Sequence, residues 1–141
     1  MSLLSFGYTW CPDVCPLTLA KMAEVRRTLG SIAEEVGFYF VTVDPERDTP
    51  ERLGMYTAAF DRSIVGLTGT PAELERAREA FGVAVERREV PGSSIDYVVD
   101  HTALLFLVDA AGRIQLVYPH DSAPDAIAMD IARLLETPGA P

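Results

Sequence analysis

Cys11 and Cys15 are the only cysteines of the chain, set in Cys11-Pro12-Asp13-Val14-Cys15-Pro16, and one of its two histidines follows in Val99-Asp100-His101-Thr102. Two thiols at this spacing can close into a disulfide or, as thiolates, hold one soft metal ion. Were the intervening segment helical, both side chains would share one face, roughly 5–6 Å apart at Cβ. A structural zinc site wants four ligands, and the two thiols with an imidazole supply three. Copper suits such a set better, accepting thiolates as Cu(I) and mixed thiolate and imidazole donors as Cu(II). At a helix N-terminus, exposed N–H groups and the macrodipole would favour the thiolate and lower the cysteine pKa, with Asp13 opposing them.

The remaining candidates carry weaker chemistry. His120, in Tyr118-Pro119-His120-Asp121, reads as an exposed loop residue. Trp10 could shield a site beside Cys11 or simply pack. Asp44, Glu46 and Asp48 match no EF-hand loop, which needs a central Gly and a distal Glu, and read as a solvated loop. No P-loop, dinucleotide-binding glycine turn or serine nucleophile elbow is present.

At 141 residues, one domain is expected, covering 1–136 with a tail at 137–141. The net charge of −9 gives neither a nucleic-acid footprint nor a polybasic membrane patch. No stretch has the roughly 20 consecutive apolar residues of a membrane span, and no secretory signal is visible, so the N-terminus does not assign a compartment.

Leu3 to Tyr8 reads as a buried strand leading into the cysteines. Pro12 fits the first turn of a helix whose apolar pattern (Leu17, Leu19, Ala20, Ala23, Val25, Leu29) ends at Gly30. Gly37 to Val43 is a second strand, and Thr49 with Pro50 opens a helix to about Phe60. Ile64 to Leu67 is a short strand, and Thr70-Pro71-Ala72-Glu73 caps a helix to Phe81. Val83–Val90 and Ile95–Val99 are strand-like, split by Pro91-Gly92. Thr102–Val108 and Arg113–Tyr118 form a hairpin about 109–112. A final amphipathic helix starts at Ser122 or Asp125 and runs to about Glu136.

A βαβ unit followed by a ββα unit is the thioredoxin arrangement: α/β, with a central mixed sheet flanked by helices. Its redox motif lies where the first strand meets the first helix, as Cys11 and Cys15 do here. Thioredoxin-type oxidoreductases place a cis-proline just before the strand after the last crossover. By that register His101 takes the proline's place and should face the cysteines, completing a three-donor site, while Asp100 reads equally as an orienter of the imidazole or as a solvated loop carboxylate.

Phe6-Gly7-Tyr8-Thr9-Trp10-Cys11-Pro12-Asp13-Val14-Cys15-Pro16 resembles the signature of the Sco/SenC family. Val43-Asp44-Pro45-Glu46-Arg47-Asp48-Thr49-Pro50, Gly66-Leu67-Thr68-Gly69-Thr70 and Val99-Asp100-His101-Thr102 agree with it in order, so the likeness covers residues 4–118. The resemblance implies a thioredoxin-like metallochaperone binding one copper, as Cu(I) or Cu(II), through Cys11, Cys15 and His101, with Cys11 and Cys15 also the redox pair. It implies work on the binuclear copper site of cytochrome c oxidase, as copper donor, as reductant of the target's cysteines, or both. The partners would be the oxidase's copper-binding subunit and other copper chaperones, on the periplasmic side of the bacterial inner membrane. Members carry an N-terminal membrane anchor and, between it and this motif, a strand pair and a further segment. The family's N-terminal hairpin is therefore expected to be missing, and the native protein to be anchored through a segment absent here. The same cysteine pair would also serve a thiol–disulfide oxidoreductase or a copper or redox sensor. Against a general reductase stands the gap of three residues between the cysteines, where two is usual. A peroxidase lacks the Thr and Pro needed before a peroxidatic cysteine.

Overall fold

The computed structural model describes residues 1–11 and 14–137. The expected helix start at Pro12 and Asp13, and the tail beyond Thr137, lie outside the described residues. The elements are β1 (Ser2–Gly7), α1 (Val14–Leu29), a 3-10 helix (Gly30–Glu35), β2 (Gly37–Thr42), α2 (Pro50–Ala58), β3 (Ile64–Leu67), α3 (Pro71–Phe81), β4 (Val85–Glu89), β5 (Tyr97–His101), β6 (Leu104–Val108), β7 (Ile114–Pro119) and α4 (Pro124–Glu136). Five strands form one sheet in the order β3-β2-β1-β6-β7, and β4 and β5 pair separately. β1, β2 and β3 run parallel, while β6 is antiparallel to β1 and β7 to β6. This is the mixed sheet flanked by helices that the element order predicts.

Residues opposite one another on paired strands share a face of the sheet. Leu3 lies opposite Phe38 and Leu107, and Ser5 opposite Phe40 and Leu105. All six are essentially excluded from solvent. Helices α1, α2 and α4 cover this face: Ser5 Oγ meets Met22 Sδ of α1, Tyr56 of α2 packs on Phe40, and Tyr118 of β7 donates to Asp130 of α4. The opposite face is covered more thinly. There Phe81 of α3 packs on Phe6 and Phe106 at ring separations of 5.5 and 5.1 Å, while Val65 and Leu67 of β3 stay exposed.

The helix starts follow their local chemistry. Thr49 caps α2 by accepting from the Arg52 N–H at 3.1 Å, and Thr70 and Glu73 form a reciprocal capping box on α3. Gly82, at φ 67°, ends α3 in the left-handed region. The last helix starts at Pro124, between the two expected positions, with no side-chain cap. Gly30 closes α1 at φ 60°, but the chain continues into the unanticipated 3-10 helix, whose isolated turn leaves no long apolar period to read.

The strands near His101 differ most from expectation. β5 is Tyr97–His101 and not Ile95–Val99, and β6 begins at Leu104 and not Thr102. His101 therefore ends a hairpin strand, opposite Val85, and does not stand at the entry to the main sheet. Thr102 makes the break. Its N–H donates to Ala84 O at 3.1 Å and its Oγ1 accepts from the Ala84 N–H at 3.0 Å, closing the hairpin before β6 starts.

Phe106 is 2 % exposed and holds the thin layer between the sheet and α3. Phe106→Ala should cost about 3–5 kcal/mol of unfolding free energy; denaturant titration of the reduced protein, read by far-ultraviolet circular dichroism, measures it.

Candidate metal and thiol site

β1 delivers the site's first half. Its last residue, Gly7, lies directly under Cys15: a Cβ there would stand 2.6 Å from Cys15 Sγ and 2.7 Å from the Phe40 ring. Only glycine leaves room for the thiol. Tyr8 and Thr9 follow, and the Cys11 N–H donates to Tyr8 O at 3.2 Å, folding the chain back towards α1. Cys15 is in the first turn of α1 and 2 % exposed, whereas Cys11 is half-buried. Both are thiols, with no disulfide between them.

β5 delivers the second half. His101 Nε2 lies 3.8 Å from Cys15 Sγ, and Nδ1 lies 3.1 Å from Val99 O. A carbonyl only accepts, so Nδ1 carries a proton and Nε2 is the ring nitrogen turned towards the thiol. The Val99 N–H in turn donates to Tyr8 Oη at 3.1 Å, and the Tyr8 ring meets the imidazole edge-on at 5.9 Å. Tyr8, Cys11, Val14, Val99, Asp100 and His101 are among the residues around an open cavity of about 220 Å³.

Two electrostatic expectations are corrected. Asp100 does not orient the imidazole: it is exposed and pairs with Arg88 at 3.2 Å, because alternation along β5 turns it away from Val99 and His101. Nor is the Cys15 thiol lowered by the helix N-terminus. Its hydrogen bond with Cys11 and then its burial push it well up, so the proton is held until something replaces it.

The acidic loop is corrected as well. Asp44 and Asp48 are 3 % and 1 % exposed, not solvated. Asp48 accepts from the Thr9 N–H at 3.1 Å, Thr9 Oγ1 at 2.6 Å and Thr42 Oγ1 at 2.8 Å. Asp44 pairs with Arg47 at 2.5 Å and accepts from the Tyr97 hydroxyl at 2.7 Å. Arg47 also donates to Ile95 O at 2.7 Å and Tyr97 O at 3.1 Å. The guanidinium carbons of Arg47 and Arg87 both lie 3.6 Å from the Tyr97 ring centroid, which they can do only from opposite faces. Trp10 sits between Arg47 and Arg52, at 5.2 and 4.8 Å. His120 is exposed, as expected, and its carbonyl accepts from Lys21.

The donor set fits a single soft ion in part. With bonds of about 2.3 Å to sulfur and 2.0 Å to nitrogen at a trigonal angle, two donors stand roughly 3.7 Å apart. The 3.8 Å between Cys15 Sγ and His101 Nε2 is that span. Among the described residues no group of three His, Cys, Asp or Glu is drawn together tightly enough to hold an ion without adjustment. Cys11 lies within hydrogen-bond reach of Cys15.

A sheet of this order, with a thiol pair where β1 leads into α1 and an imidazole opposite, defines a thioredoxin-like protein of the thiol-and-histidine type. A family model described as SCO1/SenC matches residues 1–136, and the chain belongs to that family. A SCO2-like protein of Rickettsia felis is 35% identical over 127 residues, 90% of this chain and 62% of its own length. The chain thus spans less than two thirds of the curated relatives it first matches. ScoI of Bradyrhizobium japonicum, solved with copper bound, is 41% identical, with a TM-score of 0.83 over 94% of this chain and 83% of that one. BsSco, described as a Sco-family cytochrome c oxidase assembly protein with a disulfide switch, is 27% identical, with a TM-score of 0.68 over 94% and 78%. Among the described residues no helix is long and apolar enough to cross a membrane.

Two predictions follow from this geometry. Gly7→Ala drives a methyl group into Cys15 and Phe40 and should cost about 1–3 kcal/mol; unfolding free energy and the rate of Cys11–Cys15 disulfide formation read the two consequences. The Tyr97 hydroxyl is pushed up to about 12 by burial and by the Asp44 carboxylate that it donates to. An unfolded tyrosine titrates near 10, so this contribution is whole below pH 10 and is lost as pH rises towards 12. Alkaline denaturation should show that slope, and Tyr97→Phe should flatten it.

Proposed function

We propose that the protein binds one copper ion through Cys11, Cys15 and His101 and serves in assembly of the copper site of cytochrome c oxidase. The observation that carries this reading is the approach of His101 Nε2 to Cys15 Sγ, with Nδ1 tied to Val99 O. An imidazole prepared in this way is a ligand, and two thiols beside it supply the soft donors that copper takes as Cu(I) and accepts in mixed sets as Cu(II). The protonated state of Cys15 means that metal uptake releases protons, and that affinity rises with pH until the thiols are deprotonated. Family membership and a copper-bound relative support the assignment, as does a relative described as an oxidase assembly protein. In this reading the protein works on the periplasmic side of the membrane.

A second reading uses the same thiols as a reductant. The hydrogen bond between Cys15 and Cys11 favours it, since closing that pair into a disulfide gives two electrons and two protons to a disulfide of the partner. Donor and reductant roles require the same pair and differ in their need for His101.

Anaerobic copper titration of the reduced protein separates them. We expect one copper per chain and, with Cu(II), a thiolate-to-copper charge-transfer band. Cys11→Ser and Cys15→Ser should abolish both the band and the disulfide. His101→Ala should weaken Cu(II) binding strongly and leave the disulfide able to form. Unchanged Cu(II) affinity and spectrum in His101→Ala would overturn the three-ligand site.

A further inference from the structure

The loop between β2 and α2 carries two adjacent residues whose hydrogen bonds beyond the loop run to different arms of the site, although Arg47 also lies over the Trp10 ring. Arg47 reaches to the β4–β5 hairpin. It donates to the carbonyls of Ile95 and Tyr97, lies over the Tyr97 ring, and is anchored from behind by Asp44, which also receives the Tyr97 hydroxyl. Asp48 reaches to the cysteine loop, where it takes the N–H and the hydroxyl of Thr9, two residues before Cys11. Arg52 closes the same corner by donating to Thr9 Oγ1 at 2.6 Å.

Strand β5 carries the hold on Tyr97 to the imidazole. Its alternation puts Tyr97, Val99 and His101 on one inward face. Tyr8 Oη fixes the middle of that face through the Val99 N–H, and Val99 O fixes the ring of His101. Among the described residues the hairpin is a separate sheet, so side-chain bonds of this kind, with the packing of Tyr97 and Val99 in the core, seat it against the main one.

We propose that Arg47 and Asp48 are two separate positioning residues, Arg47 for the imidazole arm and Asp48 for the thiol arm, so that a single loop sets the spacing between His101 and the cysteines. The Cu(II) readout of this proposal rests on the copper reading above, and the metal-free readouts do not.

Three measurements on the whole chain test it. Arg47→Lys keeps the charge and loses the planar fork that serves two carbonyls. Asp48→Asn keeps the shape and loses the charge. Without metal, nuclear Overhauser contacts between the Tyr8 and His101 rings report the imidazole arm. Equilibration against glutathione gives the potential of the Cys11–Cys15 couple and reports the thiol arm. Cu(II) titration is then done in the wild-type and His101→Ala backgrounds.

Arg47→Lys should lose the ring contacts, leave the potential unchanged and weaken Cu(II) binding about tenfold to a hundredfold. That loss should vanish once His101 is already alanine. Asp48→Asn should move the potential and keep the ring contacts. Tyr97→Phe, which keeps the stacked ring and drops only the bond to Asp44, should give a smaller loss of the Arg47 kind and serves where Arg47→Lys folds poorly. The proposal is overturned if Arg47→Lys shifts the potential, if its Cu(II) loss persists in the His101→Ala background, or if both variants lose contacts and potential together. A wild-type protein that binds no Cu(II) removes the copper reading alone, and ring contacts and potential still decide the division.

Discussion

The site depends first on a buried carboxylate. Asp48 is 1 % exposed, and an ion taken that far from water costs several kcal/mol unless its oxygens are hydrogen-bonded. Its donors come from Thr9 and Thr42, the first beside the cysteine loop and the second at the end of β2. Satisfying Asp48 therefore fixes where β1 leaves the sheet and where the loop after β2 lies against it. Asp44 repeats the arrangement on the other side of the loop, with Arg47 and Tyr97 as partners. Moving either carboxylate would leave a buried charge unpaired, so the loop has one position.

That constraint joins two parts that the backbone keeps separate. Cys11 lies in the loop after β1 and Cys15 in the first turn of α1, against the main sheet, and the histidine stands on a hairpin outside that sheet. Hydrogen bonding within either sheet says nothing about how they meet. Side chains decide it: Tyr8 from below the cysteines, Arg47 from the acidic loop, Tyr97 and Val99 from the hairpin. An ion held by both arms would be a further link between them, which ties ligand binding to the seating of the hairpin.

Much of this was legible in the residues. The alternation of buried strands and capped helices predicts the sheet, and Thr70 with Glu73 marks a helix start that the structure reproduces atom by atom. Cys11, Cys15 and His101 stand out because thiols and imidazoles are few here. What was not legible is the partner choice of polar residues. An Asp-rich loop reads as solvated because carboxylates are costly to bury, and the arginine and tyrosine that offset this cost lie in contact only after folding. Asp100 looked like the orienter of His101 because it is adjacent in sequence, yet in a strand adjacent residues face opposite ways. The depression of the thiol pKa expected at a helix N-terminus gave way to burial and to the neighbouring thiol.

Gly7 and Val99 set the character of the site in different ways, the first by absence of a side chain and the second by its peptide alone. The imidazole is aimed by the Val99 carbonyl, a neutral dipole, and not by a carboxylate. A carboxylate partner would fix the same tautomer and also make the ring a stronger base and a stronger donor. The carbonyl supplies the direction and carries no formal charge. In the copper-binding reading proposed above, the aim of the imidazole is thus set by a peptide of its own strand, and a substitution that bends β5 would redirect the ring without altering any side chain that touches it.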